Sequence, residues 1–495
     1  MKIVKFSLEK FSDNLLILIL LFFCIFFRII MLNHTFSINQ DGIIYIYMAQ
    51  KLWEINLKEI FSCEIFTLGF LYSLSIAILY TLLHNWELSG NLTSIFYSSF
   101  SAYPLFKILR FNLSKDYSFL LCFFTLNLSY IIKQSVDVIR DPAYWFFFLF
   151  GIYFLLKSLQ NFKHLGFYFF LSVLFFLLAS INRIEGLLLL SLSSIFYLYY
   201  FHNNKLKIFY FLVILILFSL QILLMFLFFP SFFVYLKHKI NLEVLFRNYK
   251  YFYDELTNLY LSTNNFFWIY LRILLPFLPI LFFISFTIKT YNLLFPFLIV
   301  GIKNFFEKEN KNLIIKYFFF LFIGYSLLLL FWSFTYNYLS KRYFIPLLFI
   351  GLPFIGLGIK NYIENKKLFL FKYLIFLIFS ILFLSIILTI FSNRRKDELV
   401  YKKIAYTINQ IENNHLNPII IATNNKKINF YINLERKPHI CPTQLISPER
   451  FFQECKAKYL ILSEKEQSLL ASNLGFSKIK KILEVEGWGI FICQK

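Results

Sequence analysis

Charge is in short supply in this sequence. Only 15% of its 495 residues are Asp, Glu, Lys or Arg, against roughly 25% in a soluble domain. Acid is scarcer than base: 27 Asp and Glu stand beside 49 Lys and Arg, a formal charge of +22. That poverty excludes an ordinary soluble domain. Glycine and proline are few, at 14 and 12, and there is neither a low-complexity linker nor an internal repeat. Cysteine is sparse, with six. Cys24 and Cys122 lie in apolar runs, and the spacing of Cys441, Cys455 and Cys493 fits no metal site. A disulfide among those three stays open if their region is extracytoplasmic. No small-residue cleavage site follows the first apolar run. With Lys2, Lys5 and Lys10 ahead of it, that run reads as a signal anchor with a cytoplasmic N-terminus.

What is abundant is apolar surface. Hydrophobic residues make up 59% of the chain, with 70 Phe and 33 Tyr. Runs such as Asn14–Leu32, Ile208–Phe229 and Leu368–Phe391 reach the ~20 residues that a bilayer-spanning helix needs. The surplus Lys and Arg fall mostly in short loops between such runs. There they signal topology and meet anionic headgroups, so the expected partners are membrane lipids and not nucleic acid.

Topology turns on Phe66–Leu83, which is apolar enough to span. If it spans, the loop carrying Lys107, Arg110 and Lys115 lies outside, against the positive-inside rule. If it lies in the interface or re-enters, those residues become cytoplasmic. Lys157 and Lys163, Lys205 and Lys207, Lys303 to Lys316, and Lys360 to Lys367 then join them. The second choice gives about 11 spans, near 14–32, 90–109, 117–133, 142–158, 166–182, 186–201, 208–229, 271–290, 314–333, 343–359 and 368–391. The expected fold is an α-helical polytopic protein of the cytoplasmic (inner) membrane with added interfacial helices. Residues 1–391 form its transmembrane, catalytic domain, and 392–495 form a small extracytoplasmic α/β domain. In that domain Pro418–Thr423, Lys458–Ser463 and Gly489–Cys493 read as strands. Lys396–Glu412, Pro448–Lys456 and Glu464–Asn473 read as helices.

Charges near the hydrocarbon are costly and mark candidate sites. The chosen topology gathers a set on the outer face. Asp41 lies in the first external loop, before an aromatic interfacial helix, Ile43–Trp53, that carries Tyr45. Arg140-Asp141-Pro142 opens a span, with Pro142 suited to its first turn and Asp141 to its positive end. Asn182-Arg183-Ile184-Glu185-Gly186 breaks two apolar runs, and Lys341-Arg342-Tyr343 stands at the outer end of another. Arg140, Arg183, Lys341 and Arg342, with Tyr45 and Glu185, are the candidates for holding a lipid-linked sugar phosphate. Asp41 and Asp141 are the candidate catalytic carboxylates, one of them taking a proton from an acceptor hydroxyl or amine. Two carboxylates sharing a divalent cation is an alternative. Taken singly, Asp41 also reads as a loop acid in an Asp-Gly turn. Asp141 also reads as a helix cap, Arg183 with Glu185 as a structural ion pair, and Lys341-Arg342 as interface anchors.

These segments resemble bacterial glycosyltransferase family 39 proteins. Asp41-Gly42-Ile43-Ile44-Tyr45-Ile46-Tyr47-Met48-Ala49 is similar to the family's first-loop motif, and Trp86-Glu87-Leu88-Ser89-Gly90-Asn91 to the opening of its next span. Arg140-Asp141-Pro142 resembles its second acidic motif, Asn182-Arg183-Ile184-Glu185-Gly186-Leu187 its Arg-Pro-Glu-Gly step, and Arg342-Tyr343-Phe344-Ile345-Pro346 its late Arg-Tyr motif. Order and spacing match over residues ~10–360. The resemblance is to the GT-C superfamily, which includes protein O-mannosyltransferases and lipid A aminoarabinose transferases. It implies a GT-C fold and an inverting glycosyltransferase. The donor would be a polyprenyl-phosphate sugar and the acceptor a lipid, glycan or protein, with Asp41 the general base and Asp141 the second acid. No cofactor is implied. Gly42 stands where many relatives carry a second acid, which weakens a metal-bridging role, and Ile184 stands where Pro is common. A flippase of lipid-linked saccharides is the alternative, but it would line a path through the bundle with charge.

Overall fold

The computed structural model describes residues 8–55, 69–160, 164–200, 242–263, 268, 270, 277–307, 312–336, 339–364, 369–412, 419, 421–423, 425–434, 458–464, 466–467 and 479–493. The expected span at 208–229, the helix at Pro448–Lys456, and Cys441 and Cys455 lie outside these residues, and the open question of a disulfide goes with them.

Long apolar runs become long helices because a chain in hydrocarbon must satisfy its backbone internally. The first, α1 (Asp13–Asn33), starts where the Ser12 hydroxyl accepts from the Leu15 amide at 3.2 Å. Its 21 residues rise ~31 Å at 1.5 Å each. Next come α2 (Gln40–Trp53), α3 (Phe70–Leu83), α4 (Trp86–Phe100), α5 (Ala102–Arg110), α6 (Lys115–Leu126) and α7 (Ser129–Val136). Then follow α8 (Asp141–Gln160), α9 (Leu165–Asn182), α10 (Glu185–Tyr200), α11 (Leu242–Thr263), α12 (Leu278–Tyr291), α13 (Phe295–Glu307), α14 (Leu313–Tyr336), α15 (Ile345–Glu364) and α16 (Phe369–Ile390). Six described helical stretches are long and apolar enough to cross a membrane, and a bent pair makes up to seven. The chain is a multi-pass membrane protein. Within the bundle α8 and α15 are mostly enclosed, while α1, α9 and α14 keep exposed apolar faces. Phe70–Leu83 has 14 residues, or ~21 Å of helix, short of a ~30 Å hydrocarbon core. It packs on α2 and α4.

Several boundaries differ from the sequence reading. The stretch read as 90–109 is two helices meeting at Ser101. The stretch read as 271–290 belongs to a longer unit, broken at Asn292–Leu294 between α12 and α13. The stretch read as 117–133 is broken between α6 and α7, with a 58° bend. A buried cation holds that break. Arg28 of α1 donates through Nε to Ser98 Oγ (2.9 Å) and through Nη2 to the Leu126 carbonyl (2.8 Å). Its Nη1 donates to the Cys24 carbonyl (2.9 Å) and to Asn127 Oδ1 (3.2 Å). Leu126 ends α6, so Arg28 satisfies a carbonyl that the bend frees from helical pairing.

The bundle has two electrostatically distinct ends. At the start of α1, Asp13 meets Lys107 Nζ at 3.1 Å, Arg110 Nε at 3.7 Å and Lys115 Nζ at 3.9 Å. At its finish the chain runs beside the end of α16: the Arg394 amide donates to the His34 carbonyl (2.8 Å), and the Phe36 amide donates to the Arg394 carbonyl (3.1 Å). Beyond α16 come α17 (Leu399–Ile411), β1 (Ile421–Ala422), α18 (Lys426–Asn433), β2 (Tyr459–Ser463), β3 (Ile479–Val485) and β4 (Trp488–Cys493). The sheet order is β1-β2-β4-β3, with β1 parallel to β2 and the other pairings antiparallel. Strand β3 was not foreseen, because Lys480-Lys481 and Ile482-Leu483 break the alternation at a bulge between Lys481 and Leu483.

Candidate active site

Three helix starts converge on the sheet-bearing end. Asp41 lies in the first turn of α2 and Asp141 begins α8, where a helix favours negative charge. Gly42 permits the approach of α2. A Cβ there would stand 2.7 Å from Asn39 Oδ1, 2.8 Å from Ile38 and 2.9 Å from Val138, which precedes Arg140 by two positions. The residue that replaces a second first-loop acid is therefore demanded by packing.

Between α9 and α10 the chain reverses at Arg183, whose backbone is extended (φ −148°, ψ 135°). Gly186 makes the reversal tight: a Cβ on it would lie 2.5 Å from the Ser180 amide nitrogen. The extended Arg183 reaches across to α8. Its Nη1 donates to Asp141, its Nη2 to Glu185 Oε1 at 2.6 Å and its Nε to the same oxygen at 3.2 Å. All three residues are buried, Asp141 and Glu185 at 2% exposure. Two aromatic faces flank the guanidinium, Tyr343 at 4.6 Å and Tyr144 at 5.8 Å.

The second ion pair is open. Arg342 Nη1 donates to Asp41 Oδ2 at 2.6 Å, with 31% of the Arg side chain and 45% of the Asp side chain exposed. Tyr343 joins the two pairs, since its ring also lies 5.6 Å from the Arg342 guanidinium carbon. Tyr45 of α2 sits amid Arg140, Asp41, Asp141 and Arg342; Arg140 stacks over its ring at 5.9 Å. Burial first, then the two carboxylates, push the Tyr45 phenol up to about 12 against the pull of the arginines. It therefore keeps its proton near neutrality and offers a neutral hydroxyl.

The structure thus brings Asp41, Tyr45, Arg140, Asp141, Arg183, Glu185 and Arg342 together. Lys341 instead rides over the Tyr130 ring of α7 at 4.0 Å. Arg183 and Glu185 do form the buried ion pair that was the simpler reading of their motif. Among the described residues no group of three or more His, Cys, Asp and Glu side chains gathers as a metal-ligand set.

Sequence reasoning missed what fixes this end. Arg394 grips Asp137 through both oxygens (3.0 and 2.9 Å), and Arg395 adds a bond at 2.9 Å. Arg395 also donates to the Ser37 carbonyl at 2.9 Å. Glu398 accepts from Ser37 and Lys427. The Ile38 amide donates to the Tyr431 hydroxyl at 2.8 Å, and Gln50 donates to the Leu434 carbonyl at 3.1 Å. Glu87 receives Lys402 at 2.9 and 3.1 Å. Burial, then the Glu87 charge, push the Tyr431 phenol above its usual range. The chain after α16 thereby holds the segment that leads into Asp41. A signal was available: Arg394-Arg395 follows the last span, where the topology read from the sequence expects few cations.

No protein-family model and no curated protein matches this sequence. Solved structures do match. ArnT from Cupriavidus metallidurans bound to undecaprenyl phosphate superposes with a TM-score of 0.62 at 10% identity, covering 97% of this chain and 98% of that one. The chain has the GT-C fold. The same ArnT in the apo state gives a TM-score of 0.58 at 10% identity, over 96% of this chain and 97% of that one. Archaeal oligosaccharyltransferase AglB from Archaeoglobus fulgidus, in complex with an inhibitory peptide and a dolichol-phosphate, gives 0.55 at 10% identity, over 92% of this chain and 70% of that one. ArnT and AglB are both GT-C proteins. The match to ArnT is near full length for both chains.

Proposed function

We propose that this chain is an inverting glycosyltransferase that moves a sugar from a polyprenyl-phosphate donor to an acceptor hydroxyl or amine, working on the outer face of the cytoplasmic membrane. The observation that carries the reading is the half-exposed Asp41–Arg342 pair above the buried Asp141–Arg183–Glu185 network. Asp41 takes the acceptor's proton as the acceptor atom bonds to the anomeric carbon. The bond from that carbon to the carrier phosphate oxygen breaks, and the phosphate leaves with the electron pair from the opposite face. Arg342, released as Asp41 gains a proton, turns its charge to the departing phosphate. Asp141 and Glu185 hold Arg183, and the Tyr343 ring lies against both Arg183 and Arg342. No cofactor enters this scheme.

Supporting the donor class, the solved GT-C neighbours carry undecaprenyl phosphate and dolichol-phosphate. Supporting the orientation, Lys107, Arg110 and Lys115 cluster at the Asp13 end of α1, which the positive-inside rule makes cytoplasmic. The site and the unit formed by 392–495 are then extracytoplasmic. The candidate charges collect at one end of the bundle, which favours a transferase over a flippase.

The test is transfer of labelled sugar from polyprenyl-phosphate donors by membranes containing the protein. Transfer or hydrolysis by wild type, lost in Asp41→Asn, is the expected result. Wild-type protein that moves labelled carrier across vesicles while releasing no sugar overturns it in favour of the flippase.

A further inference from the structure

The chain between α7 and α8 turns on one buried side chain. The Ile139 amide donates to the Asp137 carbonyl at 2.9 Å, a three-residue turn with Val138 at its apex. Val138 is 1% exposed. It fills a socket made by two glycines. A methyl on Gly90 of α4 would stand 2.8 and 2.9 Å from its Cγ1 and Cγ2, and a methyl on Gly42 of α2 would stand 2.9 Å from its Cβ. Val138 thus meets both helices at positions that carry no side chain.

The turn is pinned on every side. The Val136 carbonyl accepts from Asn91 Nδ2 at 2.7 Å and the Ile139 carbonyl from Ser94 Oγ at 3.4 Å, both on α4. Tyr72 of α3 braces α4 at the socket, donating to the Gly90 carbonyl at 3.2 Å. Asp137 is held by Arg394 and Arg395, and Arg395 also bonds Ser37, ahead of Asp41. Asp41 adjoins Gly42, and Asp141 follows Val138 by three positions. Close-packed groups pass on even a small shift. The volume at position 138 therefore stands between the open Asp41–Arg342 pair and the buried Asp141–Arg183–Glu185 network.

We propose that Val138 is a positioning residue whose size sets where Asp41 sits relative to Asp141, and with it the rate of transfer. This deepens the reading of Asp41 as base and rests on that reading for its kinetic consequence. Misplacing a reacting group by about 1 Å costs up to ~10²-fold in rate. With the donor contacts unchanged, the loss falls on kcat and not on KM.

The test is a size-exchange cycle in the full-length protein in membranes. Gly90→Ala adds a methyl against Val138 Cγ1 and Cγ2, and Val138→Ala removes those two carbons. Each alone should lower kcat about tenfold with donor KM unchanged, and the two together should regain most of the wild-type rate. Gly42→Ala with Val138→Ala is the control. The Val138 Cβ that a methyl on Gly42 meets survives in alanine, as do Asn39 and Ile38, so no recovery is expected there. Asp41 also gives a readout that needs no transfer: labelling of its half-exposed carboxylate by a water-soluble carbodiimide, followed by peptide mass spectrometry. Each single change, by moving α2 off Arg342, should quicken labelling about threefold, and the Gly90 and Val138 changes together should bring it back. Three results overturn the wedge: a double variant no better than its singles in rate or labelling, equal recovery in the Gly42 control, or a kcat that falls only as folded protein falls. Wild-type protein that transfers no sugar counts against the transfer reading, and the labelling cycle then still decides the wedge.

Discussion

Replacing Asp41 by Asn keeps the shape of the side chain and removes its negative charge and basicity. The structure separates the two consequences. The Asp41–Arg342 pair is 45% and 31% exposed on its two sides. Such a pair contributes ~0–1 kcal/mol, and the position of Asp41 in the first turn of α2 adds ~0.3–1 kcal/mol through the helix dipole. Stability should therefore fall by less than ~2 kcal/mol. Loss of a general base costs ~10²–10⁴ in rate. The assay is sugar transfer by membranes at matched protein levels, with the thermal midpoint of the detergent-solubilised protein measured alongside. Asp141→Asn supplies the contrast. That residue is buried against Arg183, and breaking a buried pair costs ~3–5 kcal/mol, so its midpoint should drop well below that of Asp41→Asn. Wild-type transfer by Asp41→Asn, or a lost activity matched by a midpoint as low as that of Asp141→Asn, would refute the assignment of Asp41 as base.

Other positions test the scaffold. Arg183→Lys keeps the charge but not the fork that bonds Asp141 and Glu185 together; it should lose ~1.5–3 kcal/mol, read as a lower thermal midpoint with weaker transfer. Gly42→Ala puts a methyl 2.7–2.9 Å from Asn39, Ile38 and Val138, so α2 must shift; transfer should drop while the bulk helical circular dichroism stays at wild type. Arg28→Met removes the bonds that Arg28 brings to the α6–α7 break and strands Asn127 Oδ1 and the Leu126 carbonyl; ~1–3 kcal/mol per stranded group should appear as a lowered midpoint. Tyr431→Phe deletes the hydroxyl that accepts from Ile38; limited proteolysis of the chain after α16 should quicken, and transfer should weaken through a slower turnover rather than poorer donor binding.

The helical membrane architecture was legible because apolar runs dictate it, and the GT-C resemblance was legible in five short motifs. The motif residues do meet, apart from Lys341, because each sits at a helix start on the same end of the bundle. What escaped were features set by tertiary contact. The bend after Leu126 has no Pro or Gly to announce it, and a buried arginine from another helix stabilises it. Asp137 stands three residues before Arg140, but its partners Arg394 and Arg395 lie some 257 residues away in sequence. Strand β3 was hidden by its paired lysines at a bulge.

The two ion pairs differ in a way that sorts their roles. Arg183 is enclosed with two carboxylates and two aromatic faces, so changing its partners would mean desolvating or stranding a buried charge, at several kcal/mol. Such a group holds geometry. Arg342 faces one half-exposed carboxylate, and exchanging that partner for a phosphate costs little because water already reaches both groups. The chemistry proposed for Asp41 needs that exchange: a base that gains a proton releases its cation at the moment the leaving group gains charge. The buried pair makes the exchange directional, since Tyr343 lies against both guanidinium groups and Arg183 has no freedom to follow.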